Sequence, residues 1–214
     1  MNPQLDLNSV VMRFLSRVAD MVILSVLVLV SCLPILTAGP AVIAGFKVAQ
    51  NMVYATDSRI VTSFFRYLKD NFKQGFLCTF LLLGMACAII LYLPQEPAAQ
   101  SPIALTLQTV IATLFFLYSG TLIHFLALIA RYDNTLMQHA VNALYLTLSD
   151  LLRCVSVLIV AGLPLIFFLL LPESGFYLIP FWVFFYPGLS LYLLNRILKS
   201  SFSKLENLNH TNNS

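Results

Sequence analysis

Long apolar runs constrain this chain more than any other feature: residues 21–36, 76–93, 103–130, 154–171 and 176–194. An apolar helix of about 20 residues matches a hydrocarbon core of ~30 Å. The rest of the sequence supplies no polar shell for a soluble fold. Only 10% of the residues are charged, 59% are hydrophobic and the mean hydropathy is +0.87, against about 25% charged in an ordinary soluble domain. The solvent for most of the surface must be lipid, which allows only helices or closed barrels. The runs are too long and too uniform for strands, so the expectation is a single all-α transmembrane domain over residues 1–194. A polar cytoplasmic tail, read as frayed, follows at 195–214.

The ambiguous element lies between residues 40 and 55. It contains the small residues Ala41, Ala44, Gly45 and Ala49, but also Lys47, Gln50 and Asn51. If it crosses, there are six spans with both termini on one side. Every Lys and Arg except Lys47 then falls on that side, while Glu96 and Glu173 fall on the other. If it does not, five spans remain and Arg13 and Arg17 are stranded outside. The positive-inside rule favours six, with cytoplasmic termini in the cell membrane. The cost is Lys47 at membrane depth, roughly 2.5–3.5 kcal/mol on insertion scales. Small neighbours let adjacent helices approach and bury this segment away from lipid. The Arg13/Arg17 start also resembles a signal peptide, but Pro40 follows Thr37-Ala38-Gly39 so closely that an uncleaved helix is preferred.

Two further stretches are amphipathic. In 57–75, Ile60, Phe64, Phe65, Leu68 and Phe72 share one face, and Arg66, Lys69, Asp70 and Lys73 another. Such a basic helix suits a membrane surface or a partner. The second, 131–153, alternates Leu136, Ala140, Leu144 and Leu148 with polar residues. A faint repeat accompanies them. Asp70 and Lys73 precede a run ending in Leu93-Pro94, and Asp150 and Arg153 one ending in Leu171-Pro172.

Leu33-Pro34-Ile35-Leu36-Thr37-Ala38-Gly39-Pro40 reads as a corner at the outer face. Pro34 interrupts the first helix and Gly39 supplies permissive backbone angles. Thr37 caps the next helix, with Pro40 in its first turn.

These residues, with Ser16-Arg17-Val18-Ala19-Asp20 and the stretch Ser63-Phe64-Phe65-Arg66-Tyr67-Leu68-Lys69-Asp70-Asn71-Phe72-Lys73-Gln74, resemble the YesL-like family of bacterial integral membrane proteins, a family of unknown function. The specific motifs lie within 16–75. The resemblance implies no enzymatic activity and no cofactor. It implies an accessory role in carbohydrate uptake, since family members often neighbour sugar transporters and glycan-degrading enzymes. The chain departs from the family pattern at Lys47 and Asn51, where an aromatic and a cation are usual.

No motif carries chemistry. Ser119 and His124 lie five apart, about 140° around a helix, and no G-x-S-x-G occurs. Cys32, Cys78, Cys87 and Cys154 sit in or beside apolar runs and act as small hydrophobes. With His139 and His210 they give no metal-ligand spacing. No dense basic tract suggests nucleic acid. Lys47, Gln50 and Asn51, on one helix face, form the best polar cluster, with His124 as its fourth candidate member. Two readings follow: an accessory or scaffolding protein contacting sugar-transporter subunits, or a small transporter whose path that cluster lines.

Overall fold

A computed structural model describes residues 3–54, 56, 59–92, 102–171, 173 and 177–212. Its elements are α1 Pro3–Cys32, a single 3₁₀ turn at Ile35–Thr37, α2 Ala38–Tyr54, α3 Ile60–Asp70, α4 Phe72–Tyr92, α5 Pro102–Arg131, α6 Leu136–Ser149, α7 Leu151–Leu170, α8 Ile179–Phe184 and α9 Tyr186–Asn212. Among the described residues there is no strand. Among the described residues, four helices are long and apolar enough to cross a membrane: Val11–Cys32, Phe72–Ile89, Leu105–Arg131 and Leu151–Leu170.

The ambiguous segment becomes the hub. Helix α2 packs against α1, α3, α4, α5 and α9. Ala41, Ala44 and Ala49 are fully buried, with Ile43, Phe46 and Val48 beside them. Its small side chains are the cause. Two neighbours press on Gly45 so closely that a Cβ there would meet Leu191 Cδ1 at 2.8 Å and Val28 Cγ2 at 2.9 Å.

Helix α3 packs on α2, and its Ile60, Ser63 and Phe64 are buried. Asn51 Nδ2 meets the Tyr67 hydroxyl at 3.0 Å, and one residue, Asn71, separates α3 from α4. Helix α6 likewise packs on α5, and Asp150 alone separates it from α7. The Asp70/Lys73 and Asp150/Arg153 echo falls at two one-residue breaks but in different register, since Asp70 ends α3 before Asn71 whereas Asp150 is itself the break; Leu93-Pro94 and Pro172 lie outside the described residues. In the second copy Asp150 accepts the Arg153 N–H at 3.3 Å and pairs with its guanidinium at 2.8 Å.

Two expectations change at the C-terminal end. The run 176–194 is not one helix, for it breaks at Phe185. Pro187 has no N–H to give the preceding turn, and Ser25 of α1 enters the gap. Its hydroxyl accepts the Gly188 N–H at 2.7 Å and shares its proton between Met21 O and Phe185 O. The tail is not frayed at its start. Helix α9 continues far past Asn195, with Leu191, Leu194, Leu198 and Phe202 buried along one stripe at helical spacing.

Candidate functional site

The corner at 33–40 is built differently from its sequence reading. Thr37 does not cap α2. Its hydroxyl donates backward, between Ser31 O and Pro34 O, 2.8 Å from the latter. The cap comes from another helix: Thr79 of α4 accepts the Gly39 N–H at 3.0 Å and offers its proton to Leu36 O at 3.2 Å. Gly39 lies inside α2 with ordinary helical backbone. It is glycine because α2 and α4 touch there. A Cβ at Gly39 would sit 2.0 Å from Gly75 O, and one at Gly75 would sit 2.6 Å from Pro40 Cα. The corner thus lies against the first two turns of α4, whereas the sequence reading placed it a membrane thickness away. Leu33, Ile35 and Leu36 expose their side chains around it.

The polar cluster separates into parts. Gln50 is buried and Lys47 half-buried on the same side of α2, with no side-chain partner among the described residues. Asn51 is held by Tyr67 and by the Thr56 hydroxyl, 3.2 Å from Oδ1. The polar contacts of His124 are on the α6 side. Nδ1 lies 2.8 Å from Gly120 O and 3.3 Å from Thr147 Oγ1. The carbonyl can only accept, and the Thr147 hydroxyl donates to Ala143 O, so Nδ1 carries the proton. Ser119 Oγ is buried without a hydrogen-bond partner, and His124 does not engage it. Among the described residues no group of three His, Cys, Asp or Glu side chains converges to hold a metal. The four cysteines are free thiols.

Other polar groups inside the bundle also tie helices together. Asn195 Nδ2 donates to Phe46 O at 3.1 Å and Leu191 O at 3.0 Å, and Arg153 donates to Ser201 at 2.9 Å.

Two cations, Arg131 and Lys199, sit on aromatic rings where α2 and α5 meet α9, a cluster that the sequence reading missed. Arg131 donates to the Tyr54 hydroxyl at 2.7 Å and the Tyr132 hydroxyl at 3.0 Å. Its guanidinium stands over the rings of Tyr54, Tyr132 and Phe202 at 5.2, 5.4 and 4.9 Å. Lys199 Nζ lies 4.8 Å from the Tyr54 centroid. Cation–π contacts of this kind strengthen as they lose water. The available signal was Phe202 on the 191–194–198–202 stripe, hidden because the tail was read as polar. On α3, Arg66, Lys69 and Lys73 (the last already in α4) are exposed, and Arg66 stands over Tyr67 at 5.0 Å.

His139 on α6 is fully buried, its ring edge-on to Phe125. Burial lowers its pKa, and the nearby Asp133 carboxylate and the Tyr132 backbone oppose that shift.

Residues 21–93 match the model of a family described as a protein of unknown function, DUF624. That stretch holds the corner, the hub and the α3–α4 junction. The YesL-like resemblance is consistent with this match. No curated protein and no solved structure gives a match.

Proposed function

We propose that this protein is a non-enzymatic membrane scaffold, an accessory component that assembles with another membrane protein. The observation carrying this reading is where the interior polar groups point. Ser25, Thr79, His124, Asn195 and Arg153 join helix to helix. A substrate path needs such groups converging on a shared cavity. Here Lys47, Gln50, Asn51 and His124 do not converge. The carbohydrate link rests on the family resemblance alone and nominates sugar-uptake transporter subunits as the partner. The assay is purification in mild detergent: stoichiometric co-purifying transporter subunits support the scaffold, and solute flux by the protein alone in liposomes overturns it.

The same reading includes a topology. Helices α2 and α3 lie side by side, so a slab containing all of α2 also takes in the charges of α3. We place α1 and α2 as a re-entrant hairpin dipping in from the cytoplasmic side, with α4, α5, α7 and the α8–α9 pair crossing. Thr79 lies about 10 Å along α4 from Phe72, at ~1.5 Å per residue. Irregular backbone at that depth is tolerated where its polar groups are satisfied within protein. The closed hydrogen bonds of Leu36, Gly39, Ser31 and Pro34 support this, as do the exposed Leu33, Ile35 and Leu36. Arg17 donates to Tyr192 at 2.9 Å, which supports the basic ends of α1 and α9 sharing one side. Impermeant thiol reagents test it on a cysteine at Ile35 in a background lacking native cysteines. Labelling from outside intact cells favours six full spans; protection from both sides favours the hairpin.

A further inference from the structure

Helix α3 presents three faces, in order around its axis at ~100° per residue. Ile60, Ser63 and Phe64 are buried against the bundle. Beside them Val61, Phe65 and Phe72 form an exposed apolar strip. Beyond that strip lie the exposed cations Lys69, Lys73 and Arg66. Asp70, the one acid on the helix, falls on the far side of Arg66 from the apolar strip. Asn71 N–H donates to Tyr67 O at 3.0 Å and Gly75 N–H to Asn71 O at 2.8 Å, so helical pairing continues across the one-residue break. Lys73 therefore follows Lys69 by one turn. Among the described residues neither lysine has a side-chain partner. Helix α6 also exposes an apolar strip, at Val141, Leu144 and Leu148, but it contains no Lys, Arg, Asp or Glu. The basic margin distinguishes α3.

Next to that margin an apolar groove of about 310 Å³ runs between α1 and α3 and reaches the corner. Val26 and Val30 of α1, Pro34, and Phe65 and Leu68 of α3 line it. The Thr37 hydroxyl on its wall is already engaged, donating between Ser31 O and Pro34 O. The groove thus suits an apolar occupant. Lys69 stands one turn beyond Phe65, with about 5–6 Å between such Cβ atoms, and suits an anion. An amphiphile with an acidic head and a hydrocarbon tail satisfies both at once.

The levels of the two parts agree with such a molecule. Lys73 lies in the first turn of α4, whose apolar run Phe72–Ile89 is long enough to cross a membrane. Lysines at the start of a span reach the headgroup level along their apolar stems. The corner end of the groove lies deeper, since Leu36 O and Gly39 N–H bond to Thr79, about 10 Å along α4 from Phe72 at ~1.5 Å per residue. Cations and groove therefore follow each other in the order of a phospholipid's phosphate and acyl chain. This argument rests on the cytoplasmic entry of α4 proposed above and not on the scaffold role. Cytoplasmic leaflets carry the anionic lipids that attract juxtamembrane cations. We propose that α3 binds an anionic glycerophospholipid of that leaflet, its phosphate at Lys69 and Lys73 and one acyl chain in the groove beside α1.

The test uses the full chain in mild detergent without a partner, and native mass spectrometry to read the Kd of the first lipid bound. Dioleoylphosphatidylglycerol should bind more tightly than dioleoylphosphatidylcholine. Lys69→Gln with Lys73→Gln should weaken phosphatidylglycerol by about fivefold for each lysine removed and leave phosphatidylcholine unchanged. Val30→Phe, which narrows the groove, should weaken both lipids alike. All three side chains are exposed, so these variants keep the packed interior. Equal affinity for the two lipids in the wild type overturns the site, as does phosphatidylglycerol binding that the double variant retains. Glycerol phosphate competing at the lipid's own concentration overturns the lipid assignment in favour of a soluble phosphate. A Val30→Phe protein with both affinities unchanged overturns the acyl-chain assignment. A double variant that keeps its lipid preference but loses a co-purifying protein makes α3 a protein-docking face and overturns the lipid one. Lipid binding is read on the isolated protein, so absence of co-purifying transporter subunits leaves it standing.

Discussion

Gly39→Ala separates two physical accounts of the corner by the sign of its effect. Gly39 is helical, so propensity alone predicts a gain of roughly 1 kcal/mol for alanine. The contact with α4 predicts the opposite. The new Cβ would stand 2.0 Å from Gly75 O and 2.6 Å from Thr79 N, where ordinary contact begins near 3.4 Å. Both obstacles are backbone, so no side chain can swing aside. The helices must part by about 1.4 Å, the difference between 3.4 and 2.0 Å. Overpacking of this kind costs about 1–3 kcal/mol. Parting also stretches the 3.0 Å bond from Gly39 N to Thr79, worth about 0.5–1.5 kcal/mol. Net of propensity, Gly39→Ala should destabilise by roughly 1–3 kcal/mol. For a chain of this length that is a drop of several degrees in Tm, at about 2–4 °C per kcal/mol. Thermal unfolding in one detergent at one scan rate measures it, with Thr79→Val as a comparator that removes the cap without adding bulk, at about 1 kcal/mol. A Gly39→Ala protein that melts above the wild type refutes the close crossing.

Other consequences are equally direct. Ser25→Ala leaves the Gly188 N–H unpaired between α1 and α9 and should cost about 1–3 kcal/mol in the same melt; an unchanged Tm would show that the break at Phe185 is closed some other way. Tyr54→Phe keeps the ring over which Arg131 and Lys199 sit but removes the hydroxyl that accepts from Arg131. It should destabilise by roughly 1.5–3 kcal/mol, the range for a bond to a charged group, and Tyr54→Leu by more. His139 has a lowered pKa in the fold, so the unfolded chain takes its proton first. Its contribution is complete above the unfolded value of about 6.5 and is lost as pH falls from there toward the folded value. Melts at pH 7.5 and 5.5 should show a smaller acid loss in His139→Leu than in wild type, and equal losses would remove His139 as the cause.

The helical class was legible because hydrocarbon leaves the backbone few choices, and runs such as 103–130 match the helices that form. Small residues at 41, 44, 45 and 49 announced that α2 would be enclosed, since only such side chains admit several helices at once. Asn71 and Asp150 stand at the two one-residue junctions, because breaking a helix and restarting it needs short polar side chains locally. What the tertiary structure alone decided were matters of partner and depth. Gly39 looked like a backbone-angle residue, and only the approach of Gly75 shows that it is a contact residue. Thr37 and Thr79 are both plausible caps in isolation; which one meets the free N–H depends on how α4 crosses α2. Lys47, Gln50, Asn51 and His124 are all polar and all in helices, but periodicity fixes faces within a helix and not which faces meet. The stripe through Leu198 and Phe202 was present in the sequence, yet its polar neighbours masked it until Arg131 and Tyr132, some seventy residues earlier, packed against it.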